Sequence, residues 1–90
     1  GATAVMKNGD LQGIITDGDL RRMLEKQSNF ENLKAKDIMC EAPRNMEKNA
    51  LAYDALQFME QHNISQLVVM DEGKYEGIIH IHEIIKEGVV

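Results

Sequence analysis

Thr16 and Asp19 close the stretch Gly13-Ile14-Ile15-Thr16-Asp17-Gly18-Asp19, and their side chains are the best placed in this sequence to do chemistry. A hydroxyl and a carboxylate three residues apart, where an apolar run gives way to a helix, suit two jobs. The first is ligand binding. The carboxylate can accept from two vicinal hydroxyls of a ligand, at about 1.5–3 kcal/mol for each charge-assisted bond. Gly13 and Ile15 line the approach, and Gly13 lets a ligand come close to the backbone. The helix start beyond Thr16 offers free N–H groups to a phosphate, and Arg22, next to Arg21, can reach a phosphate with two parallel bonds. The second job is structural. Thr-x-x-Asp is close to a reciprocal capping box, Asp17 is an acid favoured at a helix start, and the arginines serve equally as a solvated face paired with nearby acids. The spacing alone is compatible with both.

A second constellation, His80-Ile81-His82-Glu83, stands near the end of the chain. Two histidines two apart on a strand share a face, which invites a metal. A zinc site needs three or four ligands, however, and His62 and Cys40 are far away in sequence, so no metal is expected. Histidine is a weak helix cap, so His80, His82 and Glu83 read as an altered, weaker copy of the first site. Cys40 beside Glu41 reads as an incidental linker thiol. No nucleophile–His–acid pattern, Walker motif or dinucleotide glycine pattern is present. The chain is not expected to be an enzyme by itself.

An internal repeat positions these residues. Sliding the sequence along itself superposes Val5-Met6 on Val69-Met70, Gly9 on Gly73 and Gly13-Ile14-Ile15 on Gly77-Ile78-Ile79. Each copy reads as a strand (3–6 or 67–70), a tight turn (Asn8-Gly9 or Glu72-Gly73), a second strand (12–16 or 76–81) and a helix (19–26 or 83–87). Only the second copy has a front half. A short strand is expected over 44–46, then a helix from Ala50 to His62, with Asn49 as N-cap and Asn63 just past its end. Its apolar residues spread over two adjacent stripes, which suits packing on its own sheet and on a second surface. The expected organisation is residues 1–30 as the back half of a first repeat, 31–42 as linker and lead-in, and 43–90 as a complete β-α-β-β-α repeat. The first copy's missing β-α would lie upstream of Gly1. It should leave an open strand edge and exposed apolar surface, so residues 1–90 should self-associate unless they are part of a longer chain. Sedimentation as a stable, monodisperse monomer contradicts this expectation.

Composition narrows the function classes. The 90 residues carry a net charge of −5, from 10 Lys and Arg against 15 Asp and Glu, which disfavours nucleic-acid backbones. There is no apolar run long enough to span a membrane and no signal-peptide pattern at the start. The single cysteine suits a reducing cytoplasm.

The motif Gly13-Ile14-Ile15-Thr16-Asp17-Gly18-Asp19, the lead-in Ala35-Lys36-Asp37-Ile38-Met39 with Pro43, and the repeated β-α-β-β-α order resemble a CBS domain pair. The longer stretch Gly13 to Leu24, together with 64–70 and 77–83, is similar to bacterial D-arabinose 5-phosphate isomerases. This resemblance implies an α+β fold, with small sheets packed against helices and a ligand cleft between repeats. It implies that Gly13, Ile15, Thr16, Asp17, Asp19 and Arg22 hold a nucleotide, with Asp19 on the ribose. It implies a cytoplasmic regulatory and oligomerising module, linked to an upstream sugar-isomerase domain of the Kdo route to lipopolysaccharide or capsule. The modules would pair as homodimers within a homotetrameric parent. No cofactor is required, and an adenosine nucleotide or CMP-Kdo would be the regulatory ligand. The alternatives are a ligand-free assembly domain and a CBS module of another enzyme or of a transporter.

Overall fold

The computed structural model describes residues 1–26 and 31–86, which fall into two compact units, Gly1–Pro43 and Arg44–Val90. The first runs β1 (Ala2–Lys7), β2 (Asp10–Thr16), α1 (Asp17–Lys26), α2 (Ala35–Ile38) and β3 (Cys40–Glu41). Its sheet has β2 in the middle, antiparallel to both neighbours. The second unit runs β4 (Asn45–Glu47), α3 (Ala52–Gln61), β5 (Gln66–Asp71), β6 (Lys74–His80) and α4 (Ile81–Lys86). There β5 is central, parallel to β4 and antiparallel to β6. The class is α+β, and the second unit has the β-α-β-β-α order. Residues 27–30 and 87–90, including Glu87 at the expected end of the last helix, lie outside the described residues.

The two hairpins are copies in detail. Asn8-Gly9 and Glu72-Gly73 both turn with positive φ, at 53° and 83° and at 49° and 82°. These two-residue loops have the twist that adjacent antiparallel strands need. Glu72 adopts this conformation without being Gly or Asn. Its N–H donates to the Glu47 carboxylate at 3.2 Å, and Lys48 pairs with Asp71 at 3.1 Å beside it, so β4 braces the turn. Both hairpins also carry the same bulge. Val5 faces Gly13 and Met6 faces Leu11, while Val69 faces Gly77 and Met70 faces Tyr75. One extra residue, Gln12 or Glu76, is thus accommodated at the same place in each copy.

Several boundaries differ from expectation; helix α1, expected from Asp19, already begins at Asp17. Helix α3 starts at Ala52, and Leu51, with no side-chain cap bond, stands where Asn49 was expected. The cause is a turn at the end of β4. The Ala50 N–H donates to the Glu47 carbonyl at 2.9 Å, which takes Lys48 and Asn49 out of helical register. Ile81, expected as strand, is the first residue of α4. Cys40 is not a linker residue: β3 pairs it with Ile14, so the lead-in completes the first sheet. The end of α3 is as expected. Asn63 takes φ 54°, its N–H reaches the Glu60 carbonyl, and the Ile64 N–H reaches that of Met59. This is a Schellman ending, with Ile64 packed on the core that contains Met59.

The core sits in the second unit. Ala55, Leu56 and Met59 of α3 bury against Leu67 of β5 and Ile84 of α4, with Phe58, Ile64 and Ile79 around them. Val68, on the other face of β5, is also fully buried. The first unit shows no counterpart of β4 and α3 among the described residues. Among the described residues no strand pairs with the outer edge of β1, and α1 buries no residue. Leu20 holds the repeat position of Ile84 but is 41% exposed against 6%. Leu24, on the same helix, is 55% exposed.

Candidate functional site

The start of α1 gathers Thr16, Asp17, Asp19 and Arg22. β2 ends at Thr16 and the helix begins at Asp17, so Thr16 is the capping residue. Its hydroxyl accepts from the Asp19 N–H at 3.2 Å, and Asp19 Oδ2 accepts from the Thr16 N–H at 2.8 Å. The capping box is therefore closed in both directions. The other carboxylate oxygen, Oδ1, accepts from Arg22 Nη2 at 2.6 Å. A methyl group at Gly18 would lie 3.3 Å from Arg22 Nη1 and 3.6 Å from Thr16 Oγ1, so the guanidinium folds back over the first turn of the helix. Asp17 is exposed at the first position of the helix.

Partial burial pulls the Asp19 carboxyl upward, but the Thr16 N–H, the Arg22 guanidinium and the Thr16 hydroxyl together outweigh it. The net position is below the ordinary carboxylate value. Asp19 is thus ionised at neutral pH. A carboxyl depressed by folding stabilises the folded state above its unfolded value and loses that contribution as pH falls through the folded one, that is, below pH ~4. Denaturation midpoints measured across that range should fall with acid in the wild type and flatten in Asp19→Asn. Thr16→Ala should cost about 1 kcal/mol at neutral pH, as lost caps do.

Gly13 is closely approached within its own unit. Its Cβ would meet the Cys40 carbonyl oxygen at 2.5 Å and the Met39 side chain at 3.0 Å. The close approach is made by the chain's own β3, while Ile15 is half-buried in the neighbouring β2.

An open pocket of about 240 Å³ adjoins Asp19. It is lined from α1 by Asp19, Arg22, Met23 and Lys26, and from the lead-in by Leu33, Asp37 and Ile38. Sequence reasoning missed Lys26, although it stands one turn beyond Arg22 on the same helix face. Nothing local in the sequence placed the lead-in residues in a pocket, because only the fold brings them beside α1.

The second copy repeats the cap with different atoms. Glu83 Oε1 accepts from the His80 N–H at 3.1 Å, and His80 Nδ1 accepts from the His82 N–H at 3.1 Å. The expectation that histidine caps weakly is corrected here. Nδ1 lies as far out from Cβ as an asparagine oxygen, and it reaches the second N–H of α4. The His80 and His82 rings stack at 4.8 Å. A neighbouring pocket of about 520 Å³ is lined by Met59, Glu60, Asn63, Ile64, Ser65 and Ile81, and the three candidate residues stand outside that set. Among the described residues no group of three or more His, Cys, Asp or Glu could hold a metal, and no helix is long and apolar enough to cross a membrane.

Each unit carries an antiparallel hairpin that runs into a capped helix, and the second adds a strand and a helix in front of it to give β-α-β-β-α. The chain belongs to the CBS domain family, whose profile matches residues 35–89. It is 40% identical over 87 residues to the arabinose 5-phosphate isomerase KdsD of Francisella tularensis, covering 96% of this chain and 27% of that protein. Against the KdsD of Yersinia pestis it is 39% identical over 80 residues, covering 89% and 24%. The chain thus spans about a quarter of the length of these curated relatives. The crystal structure of the CBS domain NE2398 superposes with a TM-score of 0.88 at 27% identity, covering all of this chain and 71% of that one. CBSX2, solved in complex with AMP, superposes at 0.80 with 21% identity, covering 98% and 70%.

Proposed function

We propose that this chain is the regulatory and assembly module of a bacterial, cytoplasmic sugar-phosphate isomerase, and that a nucleotide bound at Thr16 and Asp19 biases the attached enzyme. The parent would interconvert D-arabinose 5-phosphate and D-ribulose 5-phosphate for Kdo synthesis, through an upstream domain. Residues 1–30 and 43–90 would be its two repeats, joined by the lead-in at 31–42. The observation that carries this reading is the ionised, partly buried Asp19 carboxylate beside an open pocket with two cations. Identity to the isomerases supports the parent, and AMP in a structural neighbour supports the ligand class. An adenosine nucleotide or CMP-Kdo fits this chemistry. Regulation requires the ligand to prefer one of two states of the parent, typically by ~1–3 kcal/mol.

Titration calorimetry with AMP, CMP and CMP-Kdo tests the proposal. Saturable binding that is lost in Asp19→Ala is expected, and no heat from any of them sinks it. A second reading, a ligand-free assembly domain, is favoured by one observation: the cap and Arg22 already engage the Thr16 hydroxyl and both Asp19 oxygens. Sedimentation of the parent with and without this chain distinguishes the two. Loss of a tetramer to dimers, with no nucleotide effect on turnover, supports assembly alone.

A further inference from the structure

Asp19 holds its two oxygens differently. Oδ2 is tied to the Thr16 backbone N–H, which cannot leave without breaking the helix cap, whereas Oδ1 is tied to Arg22, a side chain 61% exposed against 14% for Asp19. The carboxylate is therefore the fixed partner and the guanidinium the movable one. A ligand hydroxyl that takes the position Arg22 now holds on Oδ1 displaces a charge-assisted bond of 2.6 Å. A hydroxyl alone replaces that bond poorly, because it exchanges an ionic donor for a neutral one and leaves the guanidinium without its partner. The balance changes if the same ligand carries a phosphate. Arg22 released from Asp19 can take the phosphate with two parallel N–H bonds, and Lys26 lines the same pocket one helical turn away.

We propose that Arg22 is a selectivity latch that exchanges Asp19 for a ligand phosphate, so that the site takes nucleotides and rejects the corresponding nucleosides. The latch rests on the nucleotide reading above and adds to it the residue that discriminates. It has two consequences of opposite sign. Removing Arg22 weakens phosphorylated ligands, which lose their cation. It strengthens unphosphorylated ones, which no longer compete for Oδ1. A residue that merely contacts phosphate shows only the first effect, and one that only holds the helix cap shows neither preference.

The experiment is titration calorimetry of the full chain with two pairs of probes, AMP with adenosine and CMP with cytidine, in wild type and Arg22→Ala. The substituted side chain is exposed, so the fold should persist, and a circular dichroism spectrum checks it. The wild type should prefer the nucleotide of at least one pair by roughly tenfold or more. In Arg22→Ala that ratio should collapse to about threefold or less, with the nucleoside binding more tightly than it does to the wild type. A preference that survives the substitution, or a nucleoside affinity that does not rise, overturns the latch while leaving the nucleotide reading in place. Absence of binding by all four probes to both proteins overturns the nucleotide reading and the latch with it.

Discussion

Ile84→Ala lowers the stability of the second unit by about 2–4 kcal/mol, whereas Leu20→Ala, at the same place in the other copy, costs about 1 kcal/mol or less. The two residues sit at the same point of a repeated helix. Ile84 is nearly fully buried among Ala55, Leu56, Met59 and Leu67, and removing its side chain leaves a cavity that this cluster cannot fill. Among the described residues Leu20 has no counterpart of α3 over it and lies 41% exposed, so its truncation removes little buried surface. Guanidinium denaturation reads the difference, and amide exchange at Leu67 and Val68 assigns the loss to the second unit. Equal costs at the two positions would mean that Leu20 is covered by a segment packed as α3 packs on Ile84. The same pair of substitutions in a longer parent chain therefore measures whether the first repeat is completed there.

Gly13→Ala has the other large effect, and its twin is Gly77→Ala. At Gly13 the new Cβ meets the Cys40 carbonyl oxygen at 2.5 Å, a clash between two backbones that no side-chain rotation relieves. β3 must move off β2, giving up the pairing of Gly13 with Glu41 and of Ile14 with Cys40. A loss of about 1–3 kcal/mol is expected, with faster amide exchange through 39–41. At Gly77 nothing lies within 4 Å of the new Cβ. There the substitution should be neutral or stabilising by up to about 1 kcal/mol, because alanine loses less freedom on folding than glycine does. If Gly13→Ala instead leaves stability unchanged and abolishes only ligand binding, the glycine serves a ligand and not β3.

What could be read along the chain was set by local physics. Asn8-Gly9 tolerates the positive φ that a two-residue hairpin loop requires, and the matching turn at Glu72-Gly73 made the hairpins and their order legible. Asn63 ends α3 for the same reason. Thr16 and Asp19 declared a helix start because a capping box closes over only three residues. Where the reading missed, a nearby but unforeseen bond had changed the register. The turn from Glu47 to Ala50 delayed α3 past Asn49, and the His80 ring nitrogen capped α4 in place of a hydroxyl.

The sequence by itself determined that this protein is built from a repeated α+β unit, with a carboxylate and a hydroxyl poised at the start of one helix. The tertiary structure alone decided the rest of that site. It brought the lead-in beside α1 to make the pocket and filled the space at Gly13 with β3. It also made Leu20 and Ile84 unequal, although they hold the same position in the repeat. The reason is the same in each case: burial and close approach are set by which distant segments meet, and spacing along one segment records only what that segment can offer.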